Sequence, residues 1–320
     1  MLPKYADMAK LKTSYREHRE LGDVAWLRDY DQALERARCE DKPVLLLFQE
    51  VPGCSTCVNF GHDVLSHPLM VEIIAQHFVP LAIFNNHSGA DAEVLRRFGE
   101  AAWNNPVVHF LAPDGAAVVP RLANRYDPIG LHAKIGQVLA ARDIVAPAYF
   151  GMLGHDLAIE VGLAEQVTYT TLCFWSGETS LAQHPAVIST DAGWIGGEEV
   201  VAVHFDPRLS KRDALDAYAR NEGFAPLASK GFRLDREPQY YLRKHALRYL
   251  PLSAAQRTAI NLALPYRQEA GALLSPQQAA WLGDSRLEAL SNDEIYHEDI
   301  RKSWPKLERA LGCTKPERAR

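Results

Sequence analysis

Lys42-Pro43-Val44-Leu45-Leu46-Leu47-Phe48-Gln49-Glu50-Val51-Pro52-Gly53-Cys54-Ser55-Thr56-Cys57 decides how the first half of the chain reads. Residues 44–48 are apolar without interruption, start after a proline and end before a Pro-Gly turn, the pattern of a short buried strand. The turn at Val51-Pro52-Gly53 delivers Cys54 to the start of a helix. Upstream, Trp26, Leu27, Tyr30, Ala33, Leu34 and Ala37 recur at helical spacing over 26–37, and Lys42-Pro43 stops that helix. Downstream, Ser66 and Pro68 open a helix with Leu69, Met70, Ile73, Ile74 and His77 on one face. A strand over 78–84 and a helix near 91–98 follow. Asn105-Pro106 then leads into a strand at 107–111, a Pro113-Asp114-Gly115 turn, a strand at 116–119 and a helix over 127–141. The order β-α-β-α-β-β-α closes an α/β domain over 21–146, with 1–20 as an extension.

A cysteine pair at a helix start has a physical reason to be reactive. The unpaired N–H groups and positive end of the helix favour the thiolate of Cys54, and Cys57, one turn later on the same face, can close a disulfide on it. Cys54 is therefore the expected attacking thiol and Cys57 the resolving one. Over residues 20–145 the sequence resembles the thioredoxin superfamily, through 42–48, the Cys-x-x-Cys pair, His67-Pro68-Leu69-Met70, Phe78-Val79-Pro80-Leu81 and Asn105-Pro106. In that topology Asn105-Pro106 is expected as a cis peptide that presents backbone to a bound partner. One departure is plain: Gly53-Cys54-Ser55-Thr56-Cys57 stands where the family usually has Trp-Cys-Gly-Pro-Cys. Zinc would need four ligands, and although His62 and His67 lie nearby there is no second Cys-x-x-Cys, so no metal is expected.

The stretch 146–154 reads as a linker or a domain seam, after which the pattern changes. A strand at 167–173, a short helix at 177–183, strands at 187–190 and 198–205 and a helix at 210–219 make a β-α-β-β-α run, the core of a ferredoxin-like α+β layer over 147–245. Residues 246–320 read as a helical extension, with Ser253 and Gln256 as a capping box and Ser275-Pro276 opening another helix. Cys173 ends the first strand of this run and precedes Phe174-Trp175-Ser176-Gly177-Glu178, so a nucleophile has two aromatics beside it to form an apolar wall for a group such as a methyl. Glu199 starts the alternating row Glu199, Val201, Val203, Phe205; an acid ending a buried row is expected to stay protonated and to donate a proton.

Over residues 165–245 these features resemble the A-type peptide methionine sulfoxide reductases. The family's Gly-Cys-Phe-Trp-Gly-x-Glu is similar to 172–178, its next strand to 185–194, and the strand holding its catalytic Glu to 196–207. The resemblance implies Cys173 as nucleophile, Phe174 and Trp175 around the methyl group, Glu199 polarising the sulfoxide oxygen and Glu178 assisting. The loop between the second and third strands is much shorter here, and the family's Gly-Thr-Gln-Tyr-Arg region has no counterpart; Tyr240 or Tyr241 is left to stand in for its sulfoxide-binding tyrosine.

The 320 residues, 47% hydrophobic and 23% charged, suffice for two domains, and the net charge of -5 offers no basic field for nucleic acid. The first twenty residues alternate charges without an apolar run, so no secretory signal is expected, and no segment approaches the ~18 apolar residues of a membrane span. Five cysteines with one close pair fit a reducing compartment, taken as the cytoplasm. Cys313, near the C-terminus, is a candidate resolving thiol; Cys39 and the scattered histidines carry no chemistry. The resulting expectation is a thiol-dependent oxidoreductase with no cofactor beyond its cysteines: Cys173 reduces an oxidised sulfur, Cys54 and Cys57 donate electrons in cis, and a thioredoxin reductase-like enzyme or small thiol recharges them. Two rivals are a protein disulfide reductase whose second module only docks clients, and a redox or metal sensor.

Overall fold

The computed structural model describes residues 18–290 and 295–312, the side chains of 288 and 290 excepted. Most of the expected N-terminal extension and Cys313 lie outside the described residues. The chain divides into two compact units, the first ending at Ala146 and the second running over Pro147–Cys313.

In the first unit a four-stranded sheet has the order β2-β1-β3-β4, with β1 Val44–Gln49, β2 Val79–Phe84, β3 Val107–Leu111 and β4 Ala117–Leu122. β1 runs parallel to β2 and antiparallel to β3, and β3 pairs antiparallel with β4. Every residue of β1 and β2 is buried, as strands covered on both faces must be. Val44, Leu46 and Phe48 meet Ala33, Leu34 and Ala37 of α1 (Tyr30–Glu40) and Leu95 of α4 (Ala90–Arg97). Leu45 and Leu47 point to the opposite face by strand alternation. Pro120 lies in β4, an edge strand, where its missing N–H breaks no ladder.

Two local expectations are corrected. The first helix starts at Tyr30, because Asp29 caps it by accepting from Gln32 N at 2.8 Å, while Leu27 pairs as an extended residue with Leu81. Trp26 and Leu27 are apolar because they join the sheet side of the core. Helix α3 (Pro68–His77) is capped by His67, whose Nδ1 accepts from Leu69 N at 3.2 Å; Ser66 instead donates to Gly61 O. Between β1 and α3, α2 (Ser55–Asn59) runs into a π-turn at Phe60–Val64. Helix α5 (Pro128–Ala141) is capped by Asp127 and ends the unit.

The expected linker at 146–154 is a helix, α6 (Ala148–Glu160), whose Tyr149, Phe150, Leu153 and Leu157 are buried. Pro147 sits at its N-cap and is also the first residue of the second unit, so the seam falls where this helix begins. The second sheet has the order β8-β5-β7-β6-β9 and is antiparallel throughout, with β5 Glu165–Thr170, β6 Val187–Ile195, β7 Glu198–Phe205, β8 Ala225–Leu227 and β9 Arg233–Leu234. Helix α7 (Phe174–Ala182) joins β5 to β6, and α8 (Arg212–Asn221) follows β7. Strand β5 stops at Thr170, so Cys173 is not the end of a strand but the third residue of the turn into α7.

The β6–β7 turn is Gly196-Gly197, at φ +60° and +92°. Only glycine takes two successive positive φ values at little cost, which is why so short a connection works here. After the short helix α9 (Tyr240–Arg243), α10 (Ala254–Ala263) carries the expected capping box of Ser253 and Gln256, and α11 (Pro276–Leu282) carries a second one from Ser275 and Gln278. Thr258 of α10 accepts Thr190 N at 2.9 Å, and Asp156 of α6 accepts Ala255 N at 2.9 Å, so these helices pack as part of the second unit. Helices α12 (Leu287–Leu290) and α13 (Ile300–Ala310) complete it.

Candidate active sites

Cys54 is the N-cap residue of α2 and is exposed; Cys57, on that helix, is fully buried. Their sulfurs are 3.8 Å apart. The Cys57 backbone N–H, helped by Thr56, holds the Cys54 thiol below its ordinary range, the stabilisation that free amides of a helix's first turn provide. Burial pushes the Cys57 thiol up to about 12, with the neighbouring Cys54 and the Glu50 carboxylate adding to the rise. The Cys57 thiol donates to Asn105 Oδ1 at 2.7 Å, and Asn105 Nδ2 donates to Ala102 O at 3.2 Å, which fixes the amide's orientation. The Asn105-Pro106 peptide is cis, as is Val51-Pro52. An exposed thiol that ionises readily beside a buried one that does not is an arrangement for attack followed by resolution.

Gly53 stands where the resembling family has tryptophan, and space decides it: a Cβ there would lie 2.3 Å from Glu50 O and 2.7 Å from Cys57 Cβ. Three residues near the pair carried no sequence signal. Buried Glu20 accepts Gly53 N at 2.8 Å, and Gln49 Nε2 donates to Glu20 O at 2.9 Å and Cys57 O at 3.2 Å, tying the loop down. Glu50 joins the two cysteines in a cluster whose ligand atoms all lie within 4.8 Å of one another. Only Glu50, four residues before Cys54, could have been noticed by position. His62 and His67 do not belong to this cluster, the second being spent on its helix cap.

The sequence profile of the thioredoxin-like family matches residues 25–113. The first unit is a thioredoxin-like domain. It has the fold of thiol-disulfide oxidoreductases and carries its Cys-x-x-Cys at Cys54 and Cys57. No curated protein matches the chain. Among solved structures the chain is similar to a DsbH oxidoreductase, with 19% identity over 38% of this chain and 86% of that one at a TM-score of 0.32. It is also similar to a thioredoxin from Thermus thermophilus, with 24% identity over 36% and 86% of the two chains at 0.31. A disulphide isomerase from Xylella fastidiosa Temecula1 shows 20% identity over 41% and 87% at 0.26. The thioredoxin-like domain exposes Trp103 to 84%, two residues before the Asn105 that touches Cys57.

In the second unit Cys173 is the half-buried N-cap of α7 and opens onto a cavity of about 390 Å³. Phe174, Trp175 and Trp194 form its apolar wall, with Glu199, Asp235 and Glu237 as its acids and Arg236 at its edge. Phe174 packs edge-on against Trp194 at 5.3 Å, and Trp175 stacks on Tyr240 at 4.4 Å. Trp194 Nε1 donates to Asp235 Oδ1 at 2.8 Å. The Phe174 backbone N–H donates to Glu199 Oε2 at 2.8 Å, placing that carboxylate beside the residue that follows the cysteine.

Three site expectations are corrected. Glu199 is half-buried at the open end of β7 and lines the cavity, so it is not the acid sealed in the core; the inward row begins in earnest at Val201. The sealed acid is Glu178, whose carboxyl burial pushes well above the carboxylate range, with Asp191 adding to the rise. Glu178 does not line the cavity, because its oxygens accept Ala192 N at 3.0 Å and Gln239 N at 2.9 Å and so clamp β6 to the turn before α9. Of the two tyrosines, Tyr240 stacks on Trp175, whereas Tyr241 meets only the edge of Tyr240 and its backbone N–H is held by Asn261 Oδ1 at 3.0 Å.

Proposed function

We propose that the chain is a thiol-dependent reductase in which Cys173 reduces an oxidised sulfur of the methyl sulfoxide type and the Cys54–Cys57 dithiol supplies the electrons in cis. The observation that carries this reading is the cavity itself: a cysteine, a wall of three aromatic rings and a carboxylate held beside that cysteine line one space. The β-α-β-β-α-β course of the second unit, with β8 and β7 flanking β5, supports the ferredoxin-like, sulfoxide reductase-like reading of that unit.

Chemically, the Cys173 thiolate attacks the sulfoxide sulfur while a proton taken up from solvent is passed by Glu199 to the oxygen. The sulfide leaves and Cys173 becomes a sulfenic acid. Cys54 displaces water from that sulfur to give a mixed disulfide, and Cys57 then attacks Cys54, returning Cys173 as a thiol. The two electrons gained by the substrate come in the end from Cys54 and Cys57, which are left as a disulfide that an external dithiol must reduce. Because that dithiol has to be kept reduced, the reading places the chain in a reducing compartment such as the cytoplasm, with no other cofactor.

Electron counting tests it. Fully reduced protein, freed of external reductant and given excess methyl sulfoxide, should form about two equivalents of sulfide, Cys54→Ser about one, and Cys173→Ser none. Equal yields from wild type and Cys54→Ser would remove the relay; no sulfide from wild type would remove the sulfoxide chemistry. A second reading is favoured by the exposed Trp103 near the dithiol and by Leu172, fully exposed beside Cys173: a reductase of protein disulfides whose second unit docks the client. Insulin reduction without sulfoxide turnover would select it.

A further inference from the structure

We propose that the reduced Cys54–Cys57 pair and Glu50 together form a binding site for a thiophilic divalent cation of the zinc type, and that the bound ion withholds the dithiol from disulfide exchange. Two thiolates on one tetrahedral zinc, with bonds of about 2.3 Å, stand about 3.8 Å apart. The two sulfurs are 3.8 Å apart as they stand, so neither cysteine has to move. A reduced pair alone would supply two ligands. Glu50 makes the third, its carboxylate oxygen lying within 4.8 Å of both sulfurs.

Glu50 follows β1 directly, and its carboxylate forms no hydrogen bond or ion pair with any other described residue, so its lone pairs are uncommitted. Asn105 Oδ1 lies 2.7 Å from Cys57 Sγ. An oxygen and a sulfur bound to the same tetrahedral ion stand about 3.5 Å apart, so Asn105 is too close to that sulfur to be a ligand. Three protein ligands and one open place result. Thiolates select zinc-type ions over magnesium or calcium.

Binding moves no electrons: two metal–sulfur bonds form and two thiol protons leave to solvent. A sulfur whose lone pair is on the metal does not attack a disulfide, so the dithiol is inactive until the ion is removed. This regulatory half rests on the dithiol reading above, whereas the binding half does not.

The test titrates cobalt(II), without oxygen, into the fully reduced, chelator-treated full chain. One equivalent should bind with a thiolate-to-cobalt charge-transfer band and the intense visible bands of a tetrahedral ion. Glu50→Gln should weaken binding by roughly tenfold or more, Cys57→Ser should weaken it further and cut the charge-transfer band to about half or less, and Cys173→Ser should titrate like wild type. Binding to Glu50→Gln as tight as to wild type, a band of wild-type intensity in Cys57→Ser, or one lost in Cys173→Ser would overturn the site. Insulin reduction by the same preparation separates the two readings. Chelated protein that takes up cobalt but leaves insulin intact removes the dithiol function and keeps the metal site. Protein that reduces insulin, takes up no cobalt and is not slowed by zinc removes the metal site.

Discussion

Cys54 and Cys173 share one local position, the N-cap of a helix that begins a few residues after a buried strand, yet their surroundings differ in every respect that bears on chemistry. Cys54 is exposed, its sulfur receives the amides of its own helix, and a second cysteine follows one turn later. At Cys173 the first helical amide, that of Phe174, is instead taken by Glu199, the sulfur is half-buried and the neighbours are aromatic. The first arrangement suits a partner as large as a folded protein; the second suits a group that fits about 390 Å³. A shared sequence device, a cysteine opening a helix, thus sets reactivity, while its neighbours in space set what reacts.

The sharpest way to break the contrast lies within the first site. With the Cys54 thiol below the ordinary 9.0 and Cys57 at about 12, Cys54 carries far more thiolate than Cys57 at neutral pH. Cys54 should therefore react with iodoacetamide more than about a thousandfold faster than Cys57 at pH 7, its rate rising with pH and levelling off below the free-thiol midpoint. Mass spectrometry of partly alkylated protein measures this, and comparable rates would remove the division of roles.

Next in size, Cys54→Ser should lower insulin reduction by roughly a thousandfold or more, as loss of a nucleophile does. At the second site Glu199→Gln should lower the kcat for sulfoxide turnover by about a hundredfold, the scale of a lost proton donor, with KM nearly constant. An unaffected kcat would leave Glu199 as no more than a brace for the Phe174 amide. The smallest effect is expected at the wall. Tyr240→Ala removes the ring stacked on Trp175, a contact of about 1 kcal/mol, and should raise KM several-fold with kcat little changed.

Much of the first unit was readable because its signals are local. Residues 44–48 bounded by Pro43 and Pro52 admit a buried strand, and a Cys-x-x-Cys after it leads to the helix start. Trp26 and Leu27 misled because apolar residues at helical spacing also occur where a chain runs beside a sheet, and it is Leu81, fifty-odd residues later, that settles which applies. Of the two readings of 146–154, the seam agrees with the division of the chain after Ala146, whereas the linker failed for a related reason: Pro147 and Gly151 break a pattern locally, but burial of Tyr149 and Leu153 by the second unit's core outweighs them. At the second site the aromatic neighbours were legible because they adjoin Cys173. Asp235 came into the picture only through the fold, which brings the turn after β9 against Trp194, and only the fold singled out Tyr240 from Tyr241 by stacking it on Trp175.

The sequence by itself determined which atoms can react, since a thiol and its placement at a helix start are fixed by residue type and by a few neighbours along the chain. Tertiary structure alone decided which carboxyl is sealed from water and which faces the cavity. Glu178 and Glu199 look equally suited to either part in one dimension. They differ because desolvation depends on everything packed around a group, and the amides of Ala192 and Gln239 that enclose Glu178 come from residues far from it in the chain.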